Sequence, residues 1–433
     1  MVADQYKQTE VGVIPSDWEV KTIGEIFTFY STSNFSKAEM TLYGEVGCVH
    51  YGLIHAIENS HYSLSSGIKY YVTKEQAKYE TIQEGDVIMV DASEDLVGLN
   101  KSVEVFNLNY KQYIAGLHTF HLRDTNSNFV GTFRGLILNS NSVKKQMLRL
   151  AVGMKVFGVS KPQLQQVFVP VPPISEQTAI ATALSDTDAL IGGVEKLIAK
   201  KRNIKQGAMQ QLLSSTGSDG KPKEGWVVKK LGEIGEFKNG INKGAEDFGF
   251  GSPFVNLMDV FGVSKIKTNL HLGLINANET DKKMYDLRKG DVLFIRSSVK
   301  PEGVGLTCLI ECDLDNTVFS GFIIRYRDYG NLSDEFKEYC FSSSHFRNKV
   351  IASSSVSANT NINQDALKNL FLSYPNSKPE QTRIATILSD MDAEIAALET
   401  KLEKYRQVKL GMMQELLTGK IRLNQDLQDL GIN

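Results

Sequence analysis

A segment of about 38 residues occurs twice in this chain without a gap: EQTAIATALSDTDALIGGVEKLIAKKRNIKQGAMQQLL from Glu176, and EQTRIATILSDMDAEIAALETKLEKYRQVKLGMMQELL from Glu380. About 21 positions are identical at a constant offset of about 204 residues, far more than two unrelated amphipathic helices share by composition. The chain is two copies of one unit. The duplication extends upstream: Trp18 to Ile26 (WEVKTIGEI) returns as Trp226 to Ile234 (WVVKKLGEI), and Gly85 to Val90 (GDVIMV) returns as Gly290 to Ile295 (GDVLFI). Val97-Gly98-Leu99 is echoed by Val304-Gly305-Leu306. The residues between these shared pieces differ strongly, so the scaffold is duplicated and its surfaces are not.

The repeated segment reads as a long helix. In the second copy Ile384, Leu388, Met391, Ile395, Leu398, Leu402 and Tyr405 alternate steps of four and three, the seam of a coiled coil that must be buried against another helix. The first copy keeps the register with Ile180, Leu184, Ile191, Val194 and Ile198, weakened at Thr187 and Lys201. Proline stands before each segment, at Pro172-Pro173 and at Pro375 and Pro379, and never inside the helical pattern. At about 1.5 Å per residue each helix is a rod of roughly 57 Å. Gly192-Gly193, matched by Ala396-Ala397, leaves two readings open: close approach of a neighbouring backbone, or drift at tolerant surface sites. Lys200, Lys201, Arg202 and Lys205, matched by Lys404, Arg406 and Lys409, read as basic helix ends favoured by the macrodipole, with phosphate binding as the alternative.

The remainder reads as two mixed α/β domains, and their loops carry the functional signal. Short β-rich runs are separated by loops rich in Gly, Ser, Asn and Asp. Those loops concentrate side chains that hydrogen-bond to bases and phosphates. In the first half these are His50, Tyr51, His55, Ser93, Asn100, Lys101, Lys155, Ser160 and Lys161. In the second half they are Asn256, Arg296, Ser297, Ser298, Lys300, Asn359, Thr360, Asn361 and Asn363. Polar loops are also the default on any protein surface.

Catalytic and metal-binding patterns are scarce. The chain has no P-loop and no Asn-Pro-Pro-aromatic tetrapeptide, and Phe248-Gly-Phe-Gly-Ser252 has the wrong spacing for a glycine-rich cofactor loop. His118 and His121, read as strand residues on opposite faces, and Cys308 with Cys312 lack partners for a metal site, so none is expected. Four cysteines are too few and too scattered for a disulfide framework. Asp4, Lys7 and Glu10 at the start, and the lack of any long apolar run, point to a cytoplasmic protein without membrane association. The net charge of -2 neither favours nor excludes nucleic acid, because binding depends on local basic patches.

The chain resembles the specificity (S) subunit of type I restriction-modification systems over nearly its whole length. The carriers are Gly12-Val-Ile-Pro-Ser-Asp-Trp18, Leu231-Gly-Glu-Ile234, the paired Gly-Asp strands, Val169-Pro-Val-Pro-Pro173 before Glu176-Gln177, and the helix ends at Lys205 to Gln210 and Lys409 to Gln414. The resemblance implies an α+β fold in which two target recognition domains are joined by two long antiparallel coiled-coil helices with an internal pseudo-twofold repeat. On that basis the first recognition domain is expected at 1–172 and the first long helix at 173–215. A linker and the second recognition domain follow at 216–375, the second long helix at 376–420 and a tail at 421–433.

It further implies a non-enzymatic reader of double-stranded DNA, each domain taking one half of a bipartite asymmetric site. The helices would set the spacer and hold two methyltransferase (M) subunits, which carry S-adenosylmethionine. Restriction (R) subunits would add ATP- and Mg-dependent cleavage. The competing reading is a non-catalytic coiled-coil scaffold without DNA readout. The repeat also places the end of the second rod, near Leu417, close to Trp18. An extra residue after Pro375 leaves the second domain's approach to its helix open.

Overall fold

A computed structural model of the chain describes residues 5–57, 59–109, 111–217 and 220–423. Ser218 and Asp219 of the linker, and the tail from residue 424 onward, lie outside the described residues. The chain forms two compact units. One runs up to Val194 and resumes at Lys401; the other is Glu195–Thr400.

Both units repeat one topology. In the first, a five-stranded sheet has the order Thr28–Tyr30, Thr119–Arg123, Val87–Val90, Ser102–Phe106, His61–Ser63. In the second the order is Gly235–Asn239, Ile323–Asp328, Val292–Ile295, Thr307–Ile310, Lys265–Ile266. Each is antiparallel except at the last pair. The Val-Ile-Met-Val and Val-Leu-Phe-Ile runs are apolar at every position because each is a central strand covered on both faces. Val87 and Met89 enter one core, packed on the helices, while Ile88 and Val90 enter a second. Val292 and Phe294 divide from Leu293 and Ile295 in the same way.

The shared Gly-Asp motif is a turn lock. Gly85 and Gly290 sit at φ +81 and +85, where a Cβ is strained. The next residue accepts a backbone N–H from three positions back, Gln83 to Asp86 at 2.7 Å and Arg288 to Asp291 at 2.8 Å. A neighbouring strand then supplies a bidentate guanidinium. Arg123 donates Nε and Nη2 to Asp86, both at 2.8 Å, and Arg327 does so to Asp291, both at 2.7 Å. Burial opposes the charge on Asp86, but the hydrogen bonds from Arg123 and His121 outweigh it and hold the carboxyl below its usual range.

The long helices are Ile174–Leu212 and Lys378–Leu416. Each contributes one half to each unit. Within the first unit Asp188 pairs with Lys409, and within the second Lys205 pairs with Asp392. Lys201 with Glu394 and Arg202 with Glu399 add to the second. In the first unit Thr187 reaches Met412 and Asp188 reaches Lys409, and in the second Arg202 reaches Glu399 and Lys205 reaches Asp392, so within each unit the halves pack antiparallel. The seam residues Ile180, Leu184, Val194, Ile198, Ile384, Leu388 and Ile395 are buried, as is Thr187, whose hydroxyl returns to Ala183 O at 2.9 Å.

The repeated Glu-Gln fastens each helix to its domain. Gln177 Oε1 accepts from Val130 N at 2.9 Å, and its Nε2 donates to Asn128 O at 3.0 Å and Pro172 O at 2.8 Å. Gln381 repeats the pattern with Ser333 N at 2.6 Å, Asn331 O at 2.9 Å and Pro375 O at 2.8 Å. The extra residue after Pro375 is therefore absorbed before the helix begins. Trp18 is fully buried with Leu416 and Leu417, which places the end of the second helix on the first domain as the repeat requires. Glu176 accepts from Trp18 Nε1 at 2.9 Å and from Arg422 at 2.7 Å, and Arg422 also reaches Asp17 at 2.8 Å.

Several expectations change. A Cβ on Gly192 or Gly193 would meet nothing within 4 Å, which removes close backbone approach and leaves drift at an open site. The basic clusters are not helix ends, since the last turn of each long helix holds no basic residue. Lys201, Arg202, Lys205 and Lys409 instead pair with acids across the seam. His118 lies just before the strand Thr119–Arg123, at φ +56, while His121 is buried against Asp86.

Candidate DNA interface

In both units the loop leaving the central strand is pinned to a small hairpin. In the first, Ala92–Ser93 pairs with Phe157–Gly158, and a bridge between Val152 and Gly158 closes a turn with Met154 and Lys155 exposed at its tip. Gly153 is required there, because a Cβ would stand 1.9 Å from Val156 O. In the second, Ser297–Ser298 pairs with Thr360–Asn361, which pairs in turn with Ser355–Val356.

The hydrogen bonds fix residue equivalence between the units. Val90 N bonds Lys101 O as Ile295 N bonds Leu306 O, and Asn100 N bonds Val90 O as Gly305 N bonds Ile295 O. Asn100 and Gly305 share the left-handed region, at φ +56 and +62. The sequence echo Val97-Gly98-Leu99 is thus not the structural correspondence: buried Leu99 matches buried Val304, two residues out of that register. Asp91 N bonds His118 O where Arg296 N bonds Phe322 O, and Asp91 O accepts from Val159 N where Arg296 O accepts from Ile362 N. Asp91 with His118 therefore occupies the scaffold position of Arg296 with Phe322.

The proposed contact residues divide by their surroundings. His50, Ser93, Asn100 and Thr360 are buried, at 4%, 6%, 1% and 3% exposure, and do not present a side chain to a base in this conformation. His50 caps the helix Tyr51–Ala56, its Nδ1 accepting from Gly52 N at 3.0 Å, and burial followed by the charge of Lys37 lowers its pKa. Asn100 serves the left-handed turn. Asn256 and Asn363 cap the helices Leu257–Val260 and Gln364–Asn369, and Ser160 is tied to Gln163 at 2.7 Å. Their side chains are occupied by orphan backbone groups or near neighbours.

The others remain on the surface. In the first unit Tyr51, His55 and Lys101 gather on one cleft, with Tyr51 edge-on to both His55 and His118. Lys155 is exposed, and Lys161 lies over the Phe29 ring at 5.2 Å. In the second, Arg296, Ser297, Ser298 and Asn361 are half-buried beside exposed Lys300 and Asn359. Arg296 Nη1 makes one long bond to Gly321 O at 3.3 Å, and Asn361 Nδ2 reaches Asn359 O at 3.0 Å. The guanidinium thus keeps donors for a ligand.

Asp91 and His118 were missed as candidates, although the gapless match of GDVIMV to GDVLFI already places Asp91 opposite Arg296. Burial raises the pKa of Asp91 against the pull of His118, whose Nδ1 lies 3.4 Å away. The Phe248-Gly-Phe-Gly run is a bulged strand in which Phe248 and Ser252 both face Ile275, not a phosphate loop. Burial pushes the Cys308 thiol up to about 12, and Cys312 Sγ donates to Lys267 O. Among the described residues no group of three or more His, Cys, Asp and Glu is placed to hold a metal ion, and no helix is long and apolar enough to cross a membrane.

The model of the type I restriction modification DNA specificity domain matches residues 15–201 and again 223–405. The type I restriction enzyme MjaVIII specificity subunit of Methanocaldococcus jannaschii is 23% identical over 97% of this chain and 96% of its own length. The EcoKI specificity subunit of Escherichia coli is 22% identical over 78% of this chain and 74% of its own. The MjaX specificity subunit of M. jannaschii is 27% identical, but the chain spans only 56% of that protein. Among solved structures, one from a study of complex assembly and conformational transition of the type I R-M system aligns with TM-score 0.61 at 18% identity, covering 94% of this chain and 99% of the other. The HsdS subunit of Thermoanaerobacter tengcongensis aligns with TM-score 0.50 at 19% identity, covering 97% and 100%. At such identities the structural likeness speaks for the fold alone.

Proposed function

Because the chain belongs to the type I restriction-modification DNA specificity family, with one copy of the domain in each half, we propose that its two domains read two different half-sites of one bipartite DNA sequence. The observation that carries this is the charge inversion at one scaffold position. Where the second domain presents Arg296 beside an exposed Phe322, the first presents Asp91 beside His118. An arginine donates two parallel bonds to guanine O6 and N7, whereas a carboxylate accepts from an exocyclic amino group. Identical scaffolds with opposite hydrogen-bonding character suit an asymmetric site.

In this reading the recognition domains occupy 1–172 and 216–375, and the chain contributes recognition without chemistry. The paired long helices, at 173–215 and 376–420, supply the seat for two methyltransferase subunits. S-adenosylmethionine would act in those subunits, and ATP with Mg in the restriction subunits. The complex would work on cytoplasmic double-stranded DNA.

The test is methylation mapping in cells expressing the chain with its methyltransferase subunits. One bipartite motif is expected. Arg296→Ala should relax one position of one half-site and weaken cognate binding by about 1 to 3 kcal/mol, with little effect on random duplex. Equal losses on both duplexes would assign Arg296 to backbone positioning. A complex that methylates no defined motif would favour the coiled-coil scaffold instead.

A further inference from the structure

Arg296 and Phe322 form a cross-strand pair where the central strand of the second unit ends. The register that runs from Val292 opposite Tyr326 to Ile295 opposite Ile323 continues one step further, through Arg296 N donating to Phe322 O at 2.9 Å. Residues directly opposite on antiparallel strands put their side chains on one face, with Cβ atoms about 4.5 to 5.5 Å apart. The first unit displays this outright: at the equivalent pair His118 Nδ1 lies 3.4 Å from Asp91 Oδ1.

The backbone beneath the pair is held firmly. Arg296 O accepts from Ile362 N at 2.9 Å, and Phe322 N donates to Ser320 Oγ at 3.3 Å. Gly321 between them is closed in by Asn242, whose Oδ1 would stand 1.9 Å from a Cβ. The side chains above this base point outward. The guanidinium carries five donors, of which Nη1 makes a long bond to Gly321 O at 3.3 Å, and the Phe322 ring is 58% exposed. In the first unit the ring at that position is engaged instead, edge-on to Tyr51 and beside Asp91.

A single exposed aromatic is ordinary on a protein surface. What gives Phe322 a role is its neighbour. A guanidinium fork matches guanine O6 and N7 in the major groove, and the apolar landmark of that groove is the C5 methyl of thymine, to which a phenyl ring is suited. Neighbouring base pairs are about 3.4 Å apart along the duplex, so two side chains rooted about 5 Å apart can meet adjacent pairs.

We propose that Phe322 is a second specificity-determining residue of this domain: its ring packs on the C5 methyl of a thymine in the base pair next to the guanine that Arg296 reads. The inference rests on the base-reading role proposed above for Arg296.

The test uses the chain assembled with its methyltransferase subunits and duplexes carrying the mapped motif. Each thymine of the half-site is replaced in turn by deoxyuridine, which lacks the methyl and keeps the pairing. In the wild type one replacement, next to the guanine relaxed by Arg296→Ala, should weaken binding about fourfold, the factor for burying one methyl. Phe322→Ala should weaken binding to the thymine duplex by about the same factor or more, and should bind thymine and deoxyuridine duplexes equally. Phe322→Leu keeps an apolar contact and should retain a preference for thymine. Since the ring is exposed, neither variant should change Tm. The proposal is overturned if Phe322→Ala still distinguishes thymine from deoxyuridine at that pair, or if no replacement there affects the wild type. A mapped motif with no thymine on either strand beside that guanine overturns it as well. In each case the guanine relaxed by Arg296→Ala leaves the reading function standing. Equal weakening of cognate and random duplexes would make the ring a backbone contact, and failure of Phe322→Ala to assemble with methyltransferase subunits in the absence of DNA would make it a protein contact; both overturn the proposal. If Arg296→Ala relaxes no guanine, the reading by Arg296 fails and this inference fails with it.

Discussion

The repeated glutamines give a quantitative test with a built-in control. Gln177 and Gln381 are both fully buried, and each makes three hydrogen bonds to backbone groups of its own domain, at 2.8 to 3.0 Å for the first and 2.6 to 2.9 Å for the second. Replacement by methionine conserves length and volume, so the packing term is small. One N–H and two carbonyls are left buried without that partner. At about 1 kcal/mol net per bond each variant should lose about 3 kcal/mol from its own unit. For a unit of about 200 residues that is a fall in Tm of roughly 6 to 12 °C. Calorimetry, with hydrogen exchange to resolve the two units, measures it. Gln177→Met should destabilise the first unit alone and Gln381→Met the second alone, by similar amounts. Losses below about 1 kcal/mol, or one variant weakening both units equally, would refute the idea that these residues are independent latches.

Other outcomes follow from single features. The double variant Gly192→Ala, Gly193→Ala fills open space on a helix and should stabilise the chain by about 1 kcal/mol per site, read as a rise in Tm. His50 has its pKa lowered by burial, so it is neutral in the fold and takes up a proton more readily unfolded. Its contribution is intact above about pH 6.5 and is lost as the pH falls below that value. The first unit should therefore weaken under mild acid, and His50→Asn, copying Asn256 at the equivalent cap, should reduce that sensitivity in a pH-dependent melt. Asp91→Asn should alter one position of the first half-site and none of the second in a methylation map; an unaltered map would remove Asp91 from base reading.

The duplication, the two long helices and their seam were legible in the sequence because they depend on local periodicity: Ile180, Leu184, Ile384 and Leu388 recur at coiled-coil spacing and are buried. So was the return of the second helix end to Trp18, which the repeat implies without geometry. The contact residues were less legible. Residue type alone could not separate Arg296, which keeps unused donors, from Asn100, Asn256 and Asn363, which serve a left-handed turn and two helix caps. Asn, Ser and His are chosen for turns and caps by the same hydrogen-bonding capacity that suits them to DNA.

What the sequence by itself determined is the architecture of two copies of one scaffold, since an ungapped repeat and a heptad pattern restrict which surfaces must be buried. Only the tertiary structure decided which loop residues face outward and which positions correspond. Strand register pairs Leu99 with Val304, against the nearer sequence echo, because backbone hydrogen bonds and a left-handed turn set that register. It also decided the partners of the helix lysines. Those depend on which side chains from distant parts of the chain share one small volume, and local pattern carries no record of that.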